Sequence, residues 1–466
     1  MRVFSRKMKV KYIKNRQILC FWVLFTLLGS MCVVFGQGYE QWSVNIGGED
    51  TEHFKAIKET SDNGFILVGY VESFSTDDRA VYLVKTDNNG EIEWSQNYGD
   101  SKDDEGNDVI QTADGGYLIA GYTKSFGAGL TDLWLIKTDS NGEIQWDQVL
   151  GGSKNDVANS LIALDSGEYL VAGSTASYGA GSSDIWVVKT GSEGEILWNM
   201  TLGGTAFDNG NKIISTDDGI LIVGETSSYG FGWNDVWLVK LDMDGAVQWN
   251  KTYGGSMNDI GKSMIATDDG YLLAGTSESF GDNLNEGYIV KVDSSGEPEW
   301  ENTYGGASDD YLESVTVFPD IGYLGVGYTL STGTGESDVW LFSIDPDGEL
   351  LEESFYGGAL RDRAYEIIPT SDGEYVFAGF TWSFGSSGNG YLIKITLEEP
   401  EPEPEPETAS ETESETEPEP EVEPEQEESS GGIPGFQVLP VAIGLIAASL
   451  VLSRKRHYPF FSIMNL

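Results

Sequence analysis

The chain has 466 residues, 12% of them aromatic, and carries 76 Asp and Glu against 27 Lys and Arg, a formal charge of −49 at pH 7. A chain this long and this aromatic can fill one large all-β core or several smaller ones, which excludes a wholly disordered polypeptide. Residues 398–428 hold 16 of the acids, so 37–397 keeps 60 against 17 Lys and Arg, near −43. That surplus excludes a nucleic-acid backbone binder, which needs clustered cations to neutralise phosphates.

The N-terminus is basic from Arg2 to Arg16 and then apolar from Ile18 to Gly36. A positive region, an apolar stretch and small or β-branched residues at Val34 and Gly36 predict a secretory signal over 1–36, cut before Gln37. An uncleaved anchor is the other reading, because the run approaches spanning length. Both cysteines, Cys20 and Cys32, fall in this segment, so the exported chain owes nothing to disulfides.

A repeat then begins. Trp42, Trp94, Trp146, Trp198, Trp249 and Trp300 are spaced by 52, 52, 52, 51 and 51 residues, and Glu352 takes the seventh place after a further 52. Such a period signals a solenoid, propeller or array, and the content of one unit decides which. After Trp146, "ANSLIALDSGEYLVAGST" reads as two alternating strands about a turn, and "DIWVVKTGSEGEILW" as two more. Four strands (A, B, C and D) per repeat, without helical periodicity, predict a propeller blade.

The chain opens on an orphan D strand, "QWSVN" at 41–45, and the repeats close on an orphan C strand, "GYLIKIT" at 390–396. The two complete one blade. The prediction is therefore an all-β, seven-bladed β-propeller of four-stranded blades over 38–397, closed by pairing of the N-terminal strand with the last blade. In it each tryptophan fills the wedge between neighbouring blades, and Gly-Gly turns the chain from outer to inner strand.

The pattern W-x-x-x-x-G-G-x-x-x-D, then D-G-G-Y-x-x-A-G, then D-x-W-x-x-K is clearest in "ADGGYLIAG" at 113–121 and "DLWLIK" at 132–137. On these motifs the sequence resembles the secreted propeller-repeat proteins of bacteria and archaea over about 360 residues. The resemblance implies the fold and leaves activity open.

Four residues after the second glycine stand Glu52, Asp104, Asp156, Asp208, Asp259, Asp310 and Asp362. A second set, Asp132, Asp184, Asp235, Glu286 and Asp338, falls in the B-to-C loops, with Ala80 and Asn389 in the other two blades. Strand direction alternates, so both loop sets emerge on one face, which is expected to be acidic. One reading is calcium held by the seven carboxylates, the only cofactor in prospect. The other is that each acid accepts backbone N–H bonds inside its own blade, which explains one copy per repeat without a ligand.

The B-to-C loops also place aromatics at Phe74, Phe126, Tyr178, Tyr229, Phe280 and Phe384. Phe126, Tyr178 and Tyr229 are candidates for stacking on a ligand, against the plainer reading that each packs under its own loop. Trp233 and Trp382 have no counterparts in the repeat and are the stronger ligand-binding candidates. Lysines 85, 137, 189, 240, 291 and 394 recur on strand C, as structural ion pairs or exposed stems. Asn199 and Asn250 open glycosylation sequons just after the tryptophan and are expected to face outward. His53 is the only histidine before the C-terminal apolar segment, so neither a Ser-His-Asp set nor a multi-histidine metal site can be assembled. A paired-carboxylate glycosidase stays open.

Residues 398–432 form a Glu/Pro-rich linker, too polar and self-repelling to bury a core, and read as a disordered acidic stalk. An apolar segment from Phe436 to Leu452 follows, ending at Arg454, Lys455 and Arg456. It predicts one C-terminal transmembrane helix within 433–456, with 457–466 as a short cytoplasmic tail. Pro434-Gly435-Phe436 with this run is similar to the archaeal PGF-type surface-sorting signal, which implies cleavage and lipid attachment; the extra ten residues depart from that pattern.

The expectation is a monomeric, non-enzymatic propeller anchored at the outer cell surface, binding a surface protein or a glycan. A surface carbohydrate-active hydrolase and a structural component of a surface coat are the alternatives.

Overall fold

The computed structural model describes residues 39–73, 78–281, 284–385 and 387–397. The signal segment, the stalk, the Pro434-Gly435-Phe436 motif, the C-terminal apolar segment and Phe74 lie outside the described residues. All regular structure within them is β: 28 strands in seven four-stranded antiparallel sheets. Six blades are consecutive in sequence, at 51–98, 104–150, 156–202, 208–253, 259–304 and 310–356. Blade 7 combines 362–396 with the N-terminal strand Tyr39–Ile46, which pairs with Asn389–Thr396 as the outermost strand. The closure expected from the two orphan strands is the one observed.

Seven apolar clusters form the core, each between two blades rather than within one. Leu170, Ala172, Ile185 and Val187 of blade 3, for example, pack on Ile213, Ile222, Trp237 and Val239 of blade 4. The B and C strands are buried on both faces, which is why they read as near-continuous apolar runs.

The repeat tryptophan of each blade packs on the C-to-D turn of the next. Trp146 lies against Gly194, where a Cβ would come within 2.9 Å of the indole and where φ is +83°, so only glycine serves. Its indole N–H donates to the Ser192 carbonyl at 3.2 Å. The series runs Trp42 to Gly90, Trp94 to Gly142, Trp198 to Gly245, Trp249 to Gly296 and Trp300 to Gly348. Blade 6 faces blade 7, whose C and D strands come from opposite ends of the chain and share no turn. Glu352 stands in the tryptophan's place there because the turn that the ring would cover does not exist.

The recurrent strand-C lysines are structural. Lys137, Lys240, Lys291 and Lys394 are buried, and their ammonium groups reach Asp114, Asp218, Asp269 and Asp372 of the A-to-B turns at 2.8, 2.5, 2.6 and 2.6 Å.

Candidate binding site in the central channel

The seven repeated acids open the innermost strands, and they are buried. Asp156 is fully buried: Oδ1 accepts from the Thr175 hydroxyl, and Oδ2 accepts from Ser177 Oγ at 2.6 Å and the Gly152 N–H at 2.8 Å. The same set recurs at Asp208, Asp259, Asp310 and Asp362, and Asp104 takes the same Thr–Ser pair, Thr123 and Ser125. This answers the Gly-Gly-then-acid pattern. The second glycine donates its N–H, and the first leaves room, since a Cβ on Gly151 would lie 2.3 Å from Asp132 Oδ1 and 2.7 Å from Asp156 Oδ2.

The second set is buried too; Asp132 Oδ2 accepts the Gly129 N–H at 2.8 Å within its own loop. Burial and the neighbouring Asp156 push its carboxyl up. The expectation of an acidic face built from these two sets is therefore corrected: both are buried, and their aspartates accept hydrogen bonds inside the blades. Among the described residues no cluster of three or more His, Cys, Asp or Glu side chains is arranged to hold a metal.

Blade 1 departs from the pattern. Val71 replaces the hydroxyl donor opposite Glu52, and Glu52 Oε2 is left without a hydrogen-bond partner. Burial pushes this carboxyl up to about 7, against the Gly48 N–H, which lowers it, and with Asp50, which raises it. A folded-state value above the usual one means that the folded chain holds the proton more tightly. Stability is then lost as pH rises from the unfolded value through about 7. Glu52→Gln should raise the melting midpoint at pH 8 and leave it unchanged at pH 4; equal midpoints at both pH values would place a partner on Oε2.

The loop aromatics each rest one edge on their own blade and stay exposed, Phe126 at 41%, Tyr178 at 47% and Tyr229 at 46%. Phe126, Tyr178 and Tyr229 lie 5.4, 5.5 and 5.3 Å from the rings of Trp134, Trp186 and Trp237, and the tyrosine hydroxyls donate to the carbonyls of Gly151 and Gly203. Trp233 is 66% exposed beside the wholly open Phe231. Trp382 lines a shallow cavity of about 280 Å³ with Leu360 and the Arg361–Glu336 ion pair. Asn199 and Asn250 face solvent, and their side-chain oxygens accept the indole N–H of Trp186 and Trp237 at 3.3 Å. Asp147 and Glu353 do the same for Trp134 and Trp340, so the position is first an acceptor for a buried ring donor.

The residues that differ from blade to blade gather in the central channel. Every innermost strand has a β-bulge three residues after the repeated acid, at Lys55, Asn107, Asn159, Asn211, Lys262, Glu313 and Tyr365. A bulge re-aims a side chain out of the ladder, and here these residues and several of those that follow them line one cavity of about 270 Å³. Asn107, Asn159 and Asn211 latch blades 2 to 4 to the next blade, donating to the carbonyls of Ala158, Gly210 and Gly261 at 2.8 to 2.9 Å. Blades 5, 6, 7 and 1 instead supply Lys262, Glu313, Tyr365 and Lys55.

Deeper in the channel, Glu366 bonds Lys58 at 2.7 Å and Lys212 at 3.0 Å, and Asp108 lies 3.6 Å from Lys58. Burial alone would raise the Glu366 carboxyl, but Lys212 and Lys58 hold it well below the usual range.

One layer nearer the mouth, side chains stack along the wall of blades 6, 7 and 1. Tyr311 lies on Tyr328 at 4.6 Å, the Arg363 guanidinium on Tyr328 at 4.0 Å, and His53 on Phe380 at 4.0 Å and Tyr70 at 4.7 Å. Arg79 covers Tyr70 at 4.5 Å. Burial, then Arg79 and Lys55, lower the His53 imidazole to about 4, so it is neutral at pH 7. Burial would raise Glu105, but Lys55, Tyr122 and Arg79 hold it at about 2. On the opposite wall the equivalent places hold Val157, Ser174, Asn209, Glu225, Ile260 and Thr276, and burial pushes the Glu225 carboxyl up. The stacked rings thus lie on blades 6, 7 and 1, while a buried acid, Glu225, stands on blade 4.

The sequence reading missed this site. Its signal was available in the positions at which otherwise identical repeats disagree: one, three and four residues after the repeated acid.

No family model matches the chain, and no curated protein matches it. Solved propellers share its fold. The Pan2 WD40 domain of Neurospora crassa is 8% identical with a TM-score of 0.47, covering 74% of this chain and 90% of that one. Sqt1 from Chaetomium thermophilum is 11% identical with a TM-score of 0.43, covering 77% and 99%. The β-propeller domain of the Trilobed protease from Pyrococcus furiosus is 10% identical with a TM-score of 0.43, covering 78% and 97%. At these identities and scores the likeness adds nothing about function, and it is the seven four-stranded sheets that make the chain a seven-bladed β-propeller.

Proposed function

We propose that this propeller is an extracellular binding module, displayed by its N-terminal export segment and its C-terminal apolar segment, and that its ligand enters the mouth of the central channel. The observation that carries the reading is the segregation of side chains. Repeated aspartates and lysines are used up inside the blades, while the blade-specific groups converge on one cavity. A convergent polar cluster in a concave site is the usual mark of ligand recognition. Binding rather than hydrolysis is favoured because the deep acids Asp108 and Glu366 are tied to Lys58 and Lys212.

The test is a glycan and peptide panel probed with the full-length protein and with Tyr365→Ala and Trp233→Ala. Loss of binding of about tenfold or more in Tyr365→Ala alone, the cost of about one buried hydrogen-bonded contact, places the ligand in the channel. Loss in Trp233→Ala alone moves it to the blade 4 rim. No ligand on either class of array overturns the reading in favour of a coat component.

A further inference from the structure

Six of the 17 Lys and Arg in 37–397 line the channel or its mouth: Lys55, Lys58, Arg79, Lys212, Lys262 and Arg363. Four of them are neutralised. Lys55 and Arg79 meet Glu105 and Glu72, and Lys58 and Lys212 meet Glu366 and Asp108. Lys262 and Arg363 form no ion pair among the described residues, and Arg363 Nε is buried without a hydrogen-bond partner.

An arginine held over Tyr328 with an unused N–H costs desolvation that nothing inside the protein returns. Its neighbour Tyr365 shares a hydrogen bond with it and lines the cavity below. Glu313 sits between the two free cations on the intervening blade, close enough for both to act on its carboxyl. Glu225 of blade 4 acts on Lys262 from the other side, so with both carboxylates ionised the four groups balance, and what stays unmet is the Arg363 N–H.

The remaining lining fixes the kind of molecule that this N–H would meet. Asn107, Asn159, Asn211, Ser263, Ser314 and Tyr365 place amides and hydroxyls beside Ala56 in the lining, the Asn amides also donating to the next blade. The cavity, about 270 Å³, falls just below the range of roughly 300–1,000 Å³ that takes drug-sized ligands, so it admits about one ring. A small, many-hydroxylated, singly anionic group fits on all three counts.

We infer that the channel mouth recognises a sugar acid, its carboxylate received by Arg363 and Lys262 and its hydroxyls by the amide and hydroxyl lining. The inference rests on the channel reading above and deepens it. Arginine is suited to the role because its fork meets a carboxylate with two parallel N–H bonds, whereas lysine offers a point charge.

The experiment is titration calorimetry of the full-length protein with free glucuronate, with a uronate-terminated oligosaccharide, and with the same oligosaccharide reduced to the neutral sugar. The uronate is expected to bind at least about tenfold more tightly than the neutral form, the worth of a charge-assisted hydrogen bond. Arg363→Gln should abolish that preference and Arg363→Lys should restore part of it, which separates recognition from a folding defect. Glu313→Gln, which removes the competing carboxylate, should tighten uronate binding and leave the neutral sugar unchanged. Binding of the free acid assigns the site to a monosaccharide, and binding of the oligosaccharide alone assigns it to a glycan end. Equal affinity for acid and neutral sugar, still lost in Tyr365→Ala, overturns the anion and keeps the channel. Uronate binding indifferent to both Arg363 and Tyr365 overturns both.

Discussion

Deleting residues 38–46 should convert a soluble, cooperatively melting protein into one that aggregates or melts far lower. The deletion strips the outer strand from blade 7 and exposes the hydrogen-bonding edge of Asn389–Thr396, a ready template for pairing with another chain. It also removes fully buried Ile46 and the partly buried Trp42 and Val44 from the cluster between blades 7 and 1. Burying one such side chain contributes roughly 1.5–3 kcal/mol, so the apolar loss alone is about 5 kcal/mol, comparable with the whole net stability of many domains. Size-exclusion chromatography and thermal melts measure it directly. A synthetic peptide of residues 38–47 should raise the midpoint of the truncated protein in a concentration-dependent way. An unchanged midpoint after truncation would mean that the ring does not depend on this strand.

The second large effect concerns the buried acids. Asp208→Ala leaves the hydroxyls of Thr226 and Ser228 and the Gly204 N–H without their acceptor in a fully buried site. Each stranded donor costs about 1–3 kcal/mol, so a loss of about 3 kcal/mol or more is expected in denaturant unfolding, against about 1 kcal/mol for Ser228→Ala. Calcium should leave the melting midpoint of the parent protein unchanged, because these carboxylate oxygens already have donors. A large saturable rise with calcium would show that the oxygens exchange their donors for a metal.

Much of the architecture was legible because the repeat prints it seven times. Trp146, the Gly151-Gly152 pair and Asp156 are one device written in successive blades, and the two orphan strands at the ends of the series specify how the ring closes. The orientation of the acids was not legible. An Asp that begins an inner strand and one that hangs in a loop look alike in sequence, and only the Thr175 and Ser177 hydroxyls, 19 and 21 residues onward, settle it. The channel stayed hidden for a related reason. A bulge inserts one residue into an alternating strand, and period-two reading would send Asn159 and Ser160 to opposite faces, whereas the bulge in this strand lies between Ala158 and Ser160. Averaging the repeats also discards the positions at which they disagree, and those are the positions that line the site.

The placement of the last strand has a mechanical meaning. The chain leaves the propeller from Asn389–Thr396, which is bonded on one side to Tyr375–Thr381 and on the other to the N-terminal strand. Tension applied through residue 397 therefore enters an interior strand and must slide it past two neighbours at once, rather than peel a peripheral strand away one bond at a time. Force is shared between the two ends of the polypeptide, and a tethered molecule would resist drag as a clasp that shears, not as a zip that opens.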